Sequence, residues 1–169
     1  MKLTPLNDLE RIDYIDRYEV ELCPQKPLFQ GSEIAAYFFK SSTNIGRKLL
    51  YLRNKIVAVL GIDKGDNLQH STPKTIDKIE EGQTYGLFEI LKTDPNTVVM
   101  GKNDKHLDFR IYITLEPKQA HPLLHGLNIV TKVQYNNLLG KLYFFFVRPF
   151  HKLLVRKMLR KMKTQMSRP

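Results

Sequence analysis

The chain has 169 residues, 42% of them hydrophobic and 26% charged, which suits one globular domain with a sizeable core and excludes a collagen-like or low-complexity chain. Its single cysteine, Cys23, excludes an intramolecular disulfide. The net charge of +10 sits at one end: residues 1–116 hold 16 Lys/Arg against 17 Asp/Glu, whereas residues 117–169 hold 11 Lys/Arg and no acid, which points to an anionic partner at that end.

The opening MKLTPLNDLERID carries acids where a signal peptide needs an apolar stretch. Near the C-terminus, LYFFFV falls far short of the ~20 apolar residues that span a bilayer. One soluble domain over 1–169 is expected, in a reducing cytoplasm.

In chain order, Tyr14, Asp16, Tyr18, Val20 and Leu22 alternate within DYIDRYEVEL (13–22), the spacing of a strand that Pro24 and Pro27 end. Ser32 is a plausible N-cap for a short helix bearing Ile34, Ala35, Tyr37, Phe38 and Phe39. A second helix is predicted over 44–60, with Leu49, Leu52, Ile56, Val59 and Leu60 at helical spacing. Residues 61–83 are polar and broken by Gly and Pro, a long loop with a helical turn near 76–81.

Strands then follow closely. TYGLFEILKT (84–93) and NTVVMGK (96–102) meet across Asp94–Pro95, a hairpin signal. In HLDFRIYITLE (106–116), Leu107, Phe109, Ile111, Ile113 and Leu115 share one face, and His106, Asp108, Arg110, Tyr112 and Thr114 the other. GLNIVTKVQYN (126–136) puts Leu127, Ile129, Thr131, Val133 and Tyr135 together. Short links make the sheet antiparallel.

The last element, 138–163, is helical. Leu139, Leu142, Tyr143, Phe146, Phe150, Leu153, Leu154 and Met158 form its apolar side, Arg148, Lys152, Arg156, Arg160 and Lys163 a basic one, and Pro149 should bend it. An antiparallel sheet with one apolar face must be covered, and only this helix is long enough. A curved sheet wrapped around one long helix leaves room for a pocket.

Two stretches, GKNDKHLDFRIYITLE (101–116) and LLGKLYFFFVRPFHKLLVRKML (138–159), resemble an uncharacterised bacterial family within the START-like and Bet v 1-like (SRPBCC) helix-grip superfamily. Gly101, Asp104, His106, Leu107 and Phe109 match its hairpin motif, and Leu139, Gly140, Tyr143, Val147, Pro149, Phe150 and His151 its helix motif. The resemblance implies an α+β helix-grip fold over nearly the whole chain. It implies no one chemistry: members of the superfamily bind lipids, sterols or polyketides, and some are cyclases or hydrolases.

Each candidate site has a plainer reading beside it. The basic stripe reads first as the solvated back of a helix, second as a dock for an anionic membrane; nucleic acid is disfavoured, because no aromatic platform interleaves the charges. Asp104, His106 and Asp108 share a strand face that suits a metal or a coupled base, but Leu107, Phe109 and Ile111 claim the interior, so backbone bonding at a hairpin end is favoured. His151 reads as packing or capping. Cys23, His70, His121 and His125 show no catalytic spacing. Glu89 shares a face with Tyr85, Leu87 and Leu91, and is a buried carboxylate if that face is interior; Asp16, between two tyrosines, raises the same question.

The expected function is binding of a small hydrophobic or amphipathic ligand, with a cyclase- or hydrolase-type enzyme as the alternative. The expected lining is Phe109, Ile111, Ile113, Leu127, Ile129, Thr131 and Tyr135 from the sheet, with Tyr143, Phe146 and Phe150 from the helix. Thr131, Tyr143 and Glu89 would orient a polar end. No phosphate-binding loop, paired-cysteine motif or nucleophile elbow is present, and no cofactor or metal is expected.

Overall fold

A computed structural model describes residues 9–26, 28–42, 51, 54, 79–119, 121 and 123–167. Its elements are β1 (Tyr14–Leu22), α1 (31–42), β2 (Thr84–Tyr85), β3 (Phe88–Asp94), β4 (Thr97–Lys102), β5 (Leu107–Pro117), β6 (His125–Tyr135) and α2 (Leu138–Met166). The fold is α+β, a six-stranded antiparallel sheet in the order β1-β6-β5-β4-β3-β2 with a long C-terminal helix and a short helix after the first strand. This is the arrangement of a helix-grip fold. The second predicted helix and most of the predicted loop lie outside the described residues, although Tyr51 and Asn54 are helical.

One face of the sheet carries the core. Leu22, Ile111, Ile113, Leu115, Leu127 and Ile129 are buried there, under Val155, Met158, Leu159, Met162 and Met166 of α2. Over β3 and β5, α1 supplies Ile34, Ala35 and Phe38, and Phe38, Phe88 and Phe109 follow one another edge to face. The helix begins two residues earlier than an N-cap at Ser32 would place it: Glu33 reaches back to accept from the Gln30 N–H at 2.8 Å, a capping-box contact.

Running alongside β1, α2 points the same way. Tyr14 packs at a tilt against Phe144, Arg156 lies over Tyr18, and Pro24 bridges to Ser167. From Phe144 to Ser167 a helix rises about 34 Å, and from Tyr14 to Pro24 a strand advances about the same distance, so the pair stays matched along its length. Pro149 is accommodated within a continuous helix on its exposed side.

Two features of the strands differ from the pattern reading. The predicted strand 84–93 is a tight hairpin, with Tyr85 opposite Phe88 and Gly86 at φ +61°. Glycine populates that left-handed region without a Cβ clash, which is what a two-residue hairpin turn requires. The register also shifts between Ile90 and Lys92. Together they break the alternation on which the placing of Glu89 depended.

Candidate functional site

Near the start of β1, the inward side chains of this edge strand meet β6 and α2. Asp16 lies directly opposite Thr131. The Tyr14 hydroxyl donates to Asp16 Oδ2 at 2.7 Å, and His151 Nε2 lies 3.4 Å from the same oxygen. The side chains of Asp16 and His151 are about nine-tenths buried, and Thr131 is 2% exposed. Tyr135 and Phe144 wall the cluster, with ring centroids 5.7 Å apart. The Arg148 guanidinium sits 4.9 Å from the Tyr14 ring, a cation–π contact beside the cluster.

Burial pushes the Asp16 carboxyl upward, but hydrogen bonding with His151 and Tyr14 and the charge of His151, with a smaller share from Thr131, hold it below its ordinary value. Asp16 is therefore an anion at neutral pH. The Tyr14 phenol is pushed up by burial and by the adjacent Asp16, so it remains a donor. Even so, Asp16 Oδ1, Thr131 Oγ1 and His151 Nε2 have no aligned hydrogen-bond partner among the described residues. One oxygen of a buried carboxylate and two polar atoms beside it are thus under-satisfied in the same place.

The expected lining divides in two. Ile111, Ile113, Leu127, Ile129 and Thr131 are buried on the inner face, with Phe109 and Tyr135 half-buried beside them. Tyr143 is half-buried. Phe146 and Phe150 are 46% and 48% exposed, turned away from the sheet, because α2 presents Gly140, Phe144, Val147, His151, Val155 and Met158 instead. Glu89 is exposed on the outer face, with Phe88 and Ile90 turned inward. It orients nothing inside.

Pattern reading raised Asp16 only as an open question and assigned His151 to packing. The missed signal was the spacing 140, 144, 147, 151, 155, 158, 162, 166, a second buried stripe in which His151 is the only ionisable member.

Asp104, His106 and Asp108 are structural. Asp108 Oδ1 accepts from the Asp104 N–H and from Asn136, and His106 O accepts from the Asn136 N–H. A Cβ on Gly140 would meet His106 O at 1.8 Å, so the two motifs at 101–109 and 139–151 pack directly on each other. Among the described residues, no group of three His, Cys, Asp or Glu could hold a metal, and no helix is long and apolar enough to cross a membrane.

These features define a sheet-and-helix domain with a buried Tyr–Asp–His cluster at the edge strand. The chain belongs to the family described as "Protein of unknown function (DUF2867)", whose profile matches residues 9–158 and so includes every residue of that cluster. Comparison with curated proteins and with solved structures finds no match.

Proposed function

We propose that this chain is a START-like helix-grip protein that binds a small amphipathic ligand between α2 and the β1–β6 edge. The ligand's hydroxyl or amino head meets Asp16, Thr131 and His151, and its apolar part lies against Tyr14, Tyr135 and Phe144. One observation carries the reading: Asp16 Oδ1, Thr131 Oγ1 and His151 Nε2 are buried together with no well-formed hydrogen bond among the described residues, the nearest contact of His151 Nε2 being Asp16 Oδ2 at 3.4 Å. An unsatisfied buried group costs roughly 1–3 kcal/mol, so three around one carboxylate favour a bound group that completes them. Asp16 is ionised and accepts only, which selects a ligand that donates.

The test is solvent extraction and mass spectrometry of purified protein. Wild type should yield an amphiphile in near-stoichiometric amount, and Thr131→Val and Asp16→Ala should yield little. Identical extracts from wild type and both variants overturn the reading.

A second reading rests on the same pair. A carboxylate held ionised beside an imidazole is an acid/base arrangement, and cyclase- or hydrolase-type chemistry would use His151 in that role. The extracted compound would then differ in mass between wild type and His151→Gln. Recovery of the same unaltered compound from both excludes catalysis by His151.

A further inference from the structure

On the side of α2 opposite the sheet there is a second apolar face. Leu138, Leu142, Phe145, Phe146, Phe150 and Leu153 are each between 43% and 82% exposed. At about 100° per residue they gather on one arc, roughly opposite the buried stripe of Phe144, Val147, Val155 and Met162. A helix apolar on two sides normally has both covered; among the described residues, only one is. Taking about 200 Å² for a fully exposed Leu or Phe, the patch amounts to roughly 700 Å², just above what monomeric surfaces show.

Cations border this ridge. Lys141 and Lys152 lie along one flank, and Lys157, Arg160 and Lys161 follow in the turns beyond Leu153, where the apolar residues end. Residues 117–169 contain no acid. We infer that α2 docks the protein on an anionic lipid surface, with the Leu/Phe ridge dipping into the acyl boundary and the surrounding Lys and Arg at the headgroups.

Charge decides among occupants. A two-fold pairing of this face with a second copy would set one all-cationic rim against another. A headgroup layer supplies the missing anions, at about 1 kcal/mol per Lys or Arg. Shape agrees, because a convex ridge suits a soft apolar layer. The inference is independent of the ligand site, which lies on the other side of the helix.

The chain contains no Trp, so Phe145→Trp provides a single indole, on the ridge. The full chain should sediment with phosphatidylcholine vesicles containing about 30% phosphatidylglycerol, and at least about tenfold less with pure phosphatidylcholine. On anionic vesicles the introduced indole should shift to the blue and resist an aqueous quencher. Phe145→Ser with Phe146→Ser, and separately Lys157→Glu with Arg160→Glu, should each weaken binding at least about tenfold; all four positions are exposed, so the core is untouched. The proposal is overturned if wild type ignores the anionic vesicles at low salt. It is equally overturned if both double variants bind as wild type does, or if wild type is a dimer that the Phe pair dissociates while vesicles are ignored.

Discussion

At the residue scale, Thr131 gives the sharpest test of the site. Its buried hydroxyl opposes Asp16 without an aligned partner. Thr131→Val keeps the shape and removes the orphan, so the ligand-free protein should lose no stability in urea unfolding and gain up to about 1 kcal/mol. A loss above about 1 kcal/mol would mean that the hydroxyl is already satisfied in the folded protein. Asp16 gives a pH test. Its carboxyl is held below the ordinary value in the folded chain, so the unfolded state binds the proton first. The resulting stability is present above about pH 4 and drains away as pH falls through the lowered native value. Asp16→Asn should show a smaller slope of unfolding free energy against pH between about pH 2 and pH 5; an unchanged slope would assign the acid sensitivity to other carboxylates. Half of this cluster was legible in the sequence. Alternation on β6 put Thr131 on the inner face, and alternation on β1 grouped Asp16 with Tyr14 and Tyr18 while leaving open whether that face is interior. His151 was not legible, because the residue that meets a strand side chain depends on which stripe of α2 faces the sheet. The greasier stripe, with Leu142, Phe146 and Phe150, is the one that faces out.

At the element scale, α2 is fastened at its first turn. Asn137 accepts from the Gly140 N–H at 2.9 Å and donates to Lys105 O at 3.1 Å, so one side chain caps the helix and ties it to the β4–β5 hairpin. Asn137→Ala should therefore cost about 1–2 kcal/mol. Gly140→Ala should cost more, about 2–4 kcal/mol, because the added methyl meets the His106 carbonyl and backbone must move. Denaturant midpoints of the two variants check both values and their order. If Gly140→Ala is neutral, the helix does not approach the hairpin this closely. β1, β4, β5, β6 and α2 were legible to within a few residues, since period 2 and period 3.6 are strong when one face is buried. The stretch from Thr84 to Thr93 was not, because Gly86 at positive φ folds it back on itself and the shift after Ile90 changes the face again. Two local backbone events, neither visible as hydrophobic periodicity, left the side of Glu89 open in the sequence; with Phe88 and Ile90 turned inward it lies outside.

At the scale of the whole molecule, charge is distributed against stability. α2 carries eight Lys/Arg and no acid. Arg148 and Lys152, Lys152 and Arg156, Arg156 and Arg160, and Lys157 and Lys161 stand four apart, and each like-charged pair is destabilising by roughly 0.2–0.5 kcal/mol. Their sum is on the order of 1–2 kcal/mol at low ionic strength. The folded state tolerates this because the opposite side of the helix buries Val155, Met158, Leu159, Met162 and Met166. Salt should relieve the repulsion. Raising sodium chloride from about 20 mM to about 0.5 M shortens the screening length to a few ångströms, so unfolding free energy should rise by about 1 kcal/mol rather than fall. Lys157→Glu places an acid one turn before Lys161, the favourable orientation for a helical pair. The variant should be more stable than wild type by roughly 0.5 kcal/mol at low salt and should respond less to added salt. Urea titrations of both proteins at the two ionic strengths decide the matter. A wild type that weakens with salt would show that attraction, not repulsion, dominates around α2, and the cationic rim would then already be neutralised within the fold.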